Sequence, residues 1–219
     1  MVATAVNLSP LPPEVFDAIG PYVHACKMMG SMASQILGHT PKSLKVELAG
    51  GLADADPAPL LAAVLDGGLS YRRLGAFSAA NAESVASQHG ISVTTASVRD
   101  AGEYASSVRI VADEVEVAAT LFGTEHTPRI ISLMGYKIDI APATTSLVFE
   151  YVDAPGRIGV IGTILGDAAA NITTMQIATL PGEQCALVYM NVEGDVDDDV
   201  LSKLRAGLGD LKNLWYVKL

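Results

Sequence analysis

The stretch Thr145–Met175 combines residue types that could bind a small charged molecule. An apolar β-type run ends at the turn residues Asp153 to Gly156, and apolar residues at helical spacing follow. Backbone N–H groups around Gly156 and Arg157 would lie at the start of that helix, where the helix dipole favours an anion. The carboxylate of Asp153 could accept hydrogen bonds from a cation.

Two further side chains of the same stretch could complete such a site. The amide of Asn171, one helix later in the sequence, can donate and accept hydrogen bonds at once. The ring of Tyr151 would form a wall. A purely structural interpretation is also open, in which Asp153 caps the helix and Asn171 merely tolerates a turn.

The sequence predicts neither a catalytic residue nor a metal or cofactor site. The spacing Gly156-x-x-Gly159-x-x-Gly162 does not fit the Gly-x-Gly-x-x-Gly pattern of dinucleotide binding, so we expect these glycines to let the helix pack closely against the sheet. The four histidines form no metal-type pair and accompany no recognisable nucleophile. The acidic run from Asp195 to Asp199 lacks the pattern of a calcium loop, and it predicts the start of a helix.

Composition limits the partners of the chain. It has 219 residues and a net charge of −10, and its 14 basic residues are scattered apart from the pair Arg72 and Arg73, which argues against nucleic acid. No uninterrupted apolar run approaches the roughly 18 residues of a membrane span. Two distant cysteines and the absence of a signal peptide at the N-terminus predict a cytoplasmic protein.

The C-terminal third is predicted to fold in a βαββαβ order. A strand at Leu147–Val152 and a helix precede a strand from Asn171 through Ile177, and then come a strand at Cys185–Val192, a helix at Val200–Leu208 and a strand at Leu214–Lys218. This order is the ferredoxin-like split pattern.

The preceding part is predicted to be an α+β unit behind a long helix. A proline-rich connector leads to helical spacing over Glu14–Leu37, which Gly20 and Pro21 should interrupt, so that two helices or one kinked helix would fit. Two helices are expected, one capped by Asp56 and one at 81–89. The predicted strands are 42–48, 91–98, 106–112, 114–121, 129–134 and 137–140, the last four forming two hairpins.

The loop pattern resembles a known ligand-sensing module. The combination of Tyr151, Asp153, Pro155 and Gly156, followed by Asn171 and Ile172, is similar to the ACT domain that ends D-3-phosphoglycerate dehydrogenases. The resemblance implies that L-serine binds between two such domains, with Tyr151, Asp153, Gly156, Arg157 and Asn171 at the site. Ala154 departs from the basic residue that is common before Pro-Gly in this family.

The segments SLKVEL, AFSAANAESVASQHGISV and LFGTEHTPRIISLMGYKIDI resemble the intervening domain of the same family, also called the allosteric substrate-binding domain. The implied organisation is a linker and helix at 1–37, the intervening domain at 38–142 and the ACT domain at 143–219. The resemblance also implies an anion site, with Arg129 and Lys137 as candidates, although Ala141 replaces a second basic residue. Ordinary solvated charge is the alternative for both side chains.

These expectations describe a regulatory portion without its catalytic domains. NAD belongs to the catalytic part of the resembled full-length enzyme, and the implied partners are L-serine, a second copy of the chain and a catalytic dehydrogenase domain. Two alternatives stay open. The chain belongs to an active dehydrogenase whose catalytic domains are lost or on another polypeptide, or it is an oligomerisation module with an inactive ligand site.

Overall fold

The computed structural model describes residues 13–70 and 78–219, without the side chains of residues 13–18 and Ser70. The chain divides into two compact units between Met134 and Gly135. The domain limits at 37/38 and 142/143 stay predictions. The proline-rich connector before Pro13 and the pair Arg72 and Arg73 lie outside the described residues.

The first unit contains three helices and five strands in the part of the chain that is described. The helices are α1 (Pro13–Leu37), α2 (Ala58–Ser70) and α3 (Ala82–Gln88), and the strands are β1 (Ser43–Gly50), β2 (Ser92–Val98), β3 (Ser106–Ala112), β4 (Val115–Phe122) and β5 (Thr127–Leu133). The strands follow the order β2-β1-β3-β4-β5, in which β1 and β2 are parallel and the other neighbours are antiparallel. The predicted hairpin of β3 and β4 is confirmed.

The sheet of the first unit buries alternate residues because its strands alternate polar and apolar side chains. Leu44, Val46 and Leu48 of β1 are almost fully buried, while Lys45 between them is exposed. Helices α1 and α2 supply the opposing apolar surface, with Met29, Met32, Leu60 and Leu61 fully or almost fully buried. The predicted α+β class is confirmed.

Helix α1 is continuous, with Pro21 inside it. Its contact with α2 depends on glycines, because a Cβ atom at Gly30 would lie 2.0 Å from the carbonyl oxygen of Val64. A Cβ atom at Gly67 would lie 1.9 Å from the carbonyl oxygen of Lys27. The two helix backbones therefore approach more closely than any side chain at these positions would allow. Asp56 accepts a hydrogen bond from the backbone of Ala58 at 2.9 Å, which confirms its capping role.

The second unit begins with β6 (Tyr136–Ile140) and continues in a βαββαβ order. Its remaining elements are β7 (Thr145–Val152), α4 (Arg157–Asp167), β8 (Asn171–Thr179), β9 (Cys185–Glu193), α5 (Asp198–Gly207) and β10 (Leu211–Lys218). The four strands β10-β7-β9-β8 form an antiparallel sheet in that order. The predicted βαββαβ order is therefore confirmed.

Helices α4 and α5 pack on one face of this sheet. Leu147 and Phe149 of β7, Ile161 of α4 and Leu204 of α5 belong to one cluster of fully buried residues. The carboxylate of Asp197 accepts a hydrogen bond from the backbone of Val200 at 2.9 Å and caps α5. The acidic run is thus a helix start, as predicted. Among residues 13–70 and 78–219, no helix has both the length and the apolar character needed to cross a membrane.

A segment that follows β6 is attached to the sheet through a buried amide. The side chain of Asn191, on β9, is 4% exposed. It donates to the carbonyl oxygen of Ala141 at 2.8 Å and accepts from the backbone of Ala143 at 3.2 Å and the hydroxyl of Ser146 at 2.9 Å. Asn191 therefore attaches residues 141–143, which lead into β7, to the sheet.

Candidate functional site

A concave site lies where β7 ends and α4 begins, within the second unit. Its volume is about 430 Å³, which falls in the size range of small-molecule sites. The site is lined by the end of β7, the loop after it, the first residues of α4 and one residue of β8: Tyr151, Asp153, Ala154, Pro155, Gly156, Arg157, Ile158, Gly159 and Ile177. Four of the five predicted effector residues therefore line one site.

The loop conformation exposes backbone donors at the start of α4. Gly156 precedes the helix with φ of 91°, a value that residues with a side chain rarely adopt. The N–H of Arg157 reaches the carbonyl oxygen of Ala154 at 3.4 Å. Within the described residues, the N–H groups of Gly156, Ile158 and Gly159 have no backbone or side-chain acceptor. Together with the helix dipole, these donors make the loop suitable for an anion.

Asp153 presents an exposed carboxylate beside these donors. Its backbone N–H donates to the carbonyl oxygen of Gln184 at 2.8 Å, which fixes the residue. The carboxylate itself forms neither a hydrogen bond nor an ion pair with any described residue. Because Gly156 occupies the cap position and no side chain caps α4, the alternative in which Asp153 caps the helix is wrong.

Tyr151 forms the inner wall of the site and is 1% exposed. Burial raises the pKa of its hydroxyl, and the neighbouring carboxylate of Asp153 raises this pKa further, whereas the guanidinium of Arg157 opposes the shift. The phenol therefore stays neutral at physiological pH. The strand register places Tyr151 on the same face of the sheet as Ile177 of β8, which is 47% exposed.

The side chain of Arg157 forms an ion pair that sequence analysis did not reveal. Its Nη2 atom binds the carboxylate of Asp210, in the turn before β10. The Nε atom is buried and has no hydrogen-bond partner. The two residues are 53 positions apart, so no local pattern could have indicated the pair.

Asn171 is the predicted effector residue that does not line the site. It is exposed at the first position of β8 and lies opposite Glu193 of β9. The left-handed backbone conformation in this connection belongs to Ala169, with φ of 55°, so Asn171 does not serve as the turn residue. Its role in ligand binding stays a prediction.

The predicted packing role of the α4 glycines is wrong. Gly159 and Gly162 are exposed, and a Cβ atom added at either would meet nothing within 4 Å apart from the adjoining backbone of α4. Helix α4 contacts the sheet instead through Ile161 and Leu165, which are fully buried.

The two residues predicted for an anion site belong to different units. Arg129, in β5, places its guanidinium carbon 5.6 Å from the ring centre of Phe122, which is 67% exposed. Lys137 is exposed on β6 of the second unit. The anion site stays a prediction.

Comparison with known proteins identifies the first unit. Residues 18–134 match the family model described as the D-3-phosphoglycerate dehydrogenase intervening domain. D-3-phosphoglycerate dehydrogenase of Mycobacterium leprae is 30% identical over 199 residues, which cover 89% of this chain and 38% of that protein. The enzyme of the same name from Methanocaldococcus jannaschii is 25% identical over 222 residues, which cover 100% of this chain and 42% of that protein.

A solved structure titled "GqqA- a novel type of quorum quenching acylases" is also similar, with 20% identity and a TM-score of 0.30 over 44% of this chain and 53% of that one. The dehydrogenases are the informative relatives, and the chain spans about two fifths of their length. The family model covers more than half of the chain. The protein therefore belongs to the D-3-phosphoglycerate dehydrogenase intervening-domain family.

Proposed function

We propose that this chain is the regulatory, ligand-binding portion of a D-3-phosphoglycerate dehydrogenase, that its second unit is an ACT domain, and that it senses L-serine in L-serine biosynthesis. One observation carries the proposal. A single loop offers unsatisfied N–H donors next to a carboxylate that has no partner among the described residues. The names of the relatives and the family of the first unit support the same function.

The proposed ligand has charges that complement this loop. The carboxylate of an amino acid would accept hydrogen bonds from N–H groups at the start of α4, where the helix dipole is favourable. Its ammonium group would donate to Asp153. Tyr151 and Ile177 would lie beside the ligand.

The proposed partners follow from the same function. A second copy of the chain would associate through the ACT domain and place L-serine between the two copies, with Asn171 near the interface. A catalytic dehydrogenase domain would receive the signal and hold NAD, so this chain would need no cofactor of its own. A cytoplasmic location, without nucleic acid or membrane as partner, completes the proposal.

The first test is calorimetric titration of the purified chain with L-serine, with glycine and L-alanine for comparison. We expect saturable, selective binding of L-serine. Asp153→Ala should weaken it about 10- to 100-fold, because a hydrogen bond to a charged group contributes roughly 1.5–3 kcal/mol. The control Asp195→Ala removes the same charge from an exposed position that does not line the site and should leave the affinity unchanged.

Absence of heat from a folded chain would contradict serine sensing. If such a chain were also dimeric, an oligomerisation module with an inactive site would be favoured, a function that the exposed Ile177 on the edge strand β8 would suit.

Regulation requires a second measurement, because a ligand shifts a conformational equilibrium only when it binds the two states with different affinity. With the chain joined to its catalytic domains, L-serine should inhibit NAD-dependent turnover, and Asp153→Ala should relieve that inhibition. Inhibition that Asp153→Ala leaves unchanged would remove the site assignment.

A further inference from the structure

One wall of the site contains a mostly buried cation with unused hydrogen-bonding capacity. The side chain of Arg157 is 18% exposed, and the residue is among those that line the site. Its Nη2 atom binds Asp210, while its Nε–H group is buried without an acceptor. Asp210 is 62% exposed, so most of its carboxylate remains in contact with solvent.

An arginine in this position is suited to a carboxylate. The guanidinium has five N–H donors in a planar fork and keeps its positive charge at any physiological pH. A buried N–H group without an acceptor is unfavourable, and a charged acceptor that fills the position forms one of the stronger hydrogen bonds of a protein. The described residues provide one carboxylate for this fork, that of Asp210.

Building on the proposed function, we propose that Arg157 binds the carboxylate of the ligand and that Asp210 positions its guanidinium. The ligand class is then an amino acid with a free α-carboxylate, and an amine without a carboxylate should bind poorly. Asp153 and Arg157 both line the site, so the site holds opposite charges for the ammonium and carboxylate groups of one zwitterion.

Binding in this way requires the guanidinium to move. The Nε atom is covered in the structure, so the guanidinium must rotate for its N–H group to face the ligand. The exposed position of Asp210 permits this rotation, because its carboxylate can follow the guanidinium or be solvated by water.

The test compares L-serine with ethanolamine, which is L-serine without its carboxylate. NMR titration measures both affinities, including weak ones, in the unaltered chain, in Arg157→Gln and in the control Arg205→Gln, an exposed position on α5. We expect Arg157→Gln to weaken the binding of L-serine about 10- to 100-fold, because one charged hydrogen-bond partner of the carboxylate is lost. The affinity for ethanolamine should hardly change. Arg205→Gln should change neither affinity.

The positioning role of Asp210 is tested with the same titration. Asp210→Asn should weaken the binding of L-serine less than Arg157→Gln does. The double variant should bind L-serine with the same affinity as Arg157→Gln alone. Asp210→Glu, which keeps the carboxylate, should retain most of the affinity of the unaltered chain. Arg157→Lys, which keeps the charge without the fork, should give an intermediate affinity and also serves if Arg157→Gln does not fold.

The outcomes separate this inference from the proposed function. Loss of L-serine binding in Asp153→Ala, with the preference for L-serine over ethanolamine unchanged in Arg157→Gln, would overturn the role of Arg157 and leave serine sensing intact. An unaltered chain that binds no L-serine would overturn both.

Discussion

At the scale of single residues, Asp113 shows how one carboxylate can stabilise a turn. It lies between β3 and β4 with φ of 49°, a conformation that is unfavourable for most side chains. Its carboxylate accepts from the backbone of Lys42 at 3.1 Å, from the backbone of Ser43 at 2.9 Å and from the hydroxyl of Ser43 at 3.0 Å. The turn is thereby connected to the start of β1.

We predict that Asp113→Ala lowers the free energy of unfolding by about 1–2 kcal/mol, because the substitution removes these acceptors and strains the left-handed backbone. Asp113→Gly should cost less, since glycine relieves the backbone strain while losing the same hydrogen bonds. Urea unfolding at pH 7 measures both values. Equal losses in the two variants would contradict a contribution from backbone strain.

The same carboxylate predicts a pH dependence of stability. Partial burial raises the pKa of Asp113, but the hydrogen bonds from Lys42 and Ser43 outweigh burial and lower this pKa below its usual value of 3.8. The stabilisation is therefore present above the unfolded-state pKa and is lost as the pH falls through the folded-state pKa. The difference in unfolding free energy between the unaltered chain and Asp113→Asn should decrease in that acid range. A difference independent of pH would contradict this linkage.

At the scale of elements, the packing of α1 on α2 depends on the absence of two side chains. Added Cβ atoms at Gly30 and Gly67 would overlap backbone carbonyl oxygens, which cannot move away as the tip of a side chain can. We predict that Gly67→Ala destabilises the chain by about 1–3 kcal/mol or more, because the helices must separate.

The matched control is Gly166→Ala in α4, where an added Cβ atom meets nothing within 4 Å. This variant should be neutral or more stable by up to about 1 kcal/mol, since alanine favours the helix over glycine. Thermal unfolding followed by circular dichroism compares the two variants. Similar melting temperatures for both would contradict the close contact of the helices.

A buried amide attaches residues 141–143 to the sheet. Asn191→Ala would leave the carbonyl oxygen of Ala141 and the hydroxyl of Ser146 without this partner, and we predict a loss of about 1–3 kcal/mol. The control Asn213→Ala removes one hydrogen bond of 2.7 Å to Glu150 at an exposed position and should cost well under that amount. Chemical unfolding is the measurement, and an equal loss in both variants would contradict the importance of the buried amide.

At the scale of the whole molecule, each unit has its own buried core, so a fragment of residues 135–219 should fold alone. A fragment of residues 145–219 lacks β6 and both backbone partners of Asn191, and we predict lower stability for it. Cooperative unfolding measured by circular dichroism distinguishes the two. Equal stability would show that β6 and residues 141–143 do not stabilise the unit.

Local patterns in the sequence predicted most of the secondary structure. Apolar alternation located the strands, helical spacing located α1 to α5, and the acidic run located the start of α5. Each of these signals lies within about ten neighbouring residues, and such signals reflect the side-chain periodicity of one element. The loop pattern likewise indicated Tyr151, Asp153, Gly156 and Arg157, which line one site.

Only the tertiary structure revealed the interactions between residues that are distant in the sequence. The ion pair of Arg157 with Asp210 and the hydrogen bonds of Asn191 join residues about fifty positions apart, and no periodicity in the sequence encodes them. The spacing of glycines likewise did not show which of them permit close packing. Gly159 and Gly162 face solvent, whereas Gly30 and Gly67 lie against the backbone of a neighbouring helix. The sequence by itself thus determined the order of the elements and the residues of the loop, while packing determined which side chains pair with distant partners and which remain exposed.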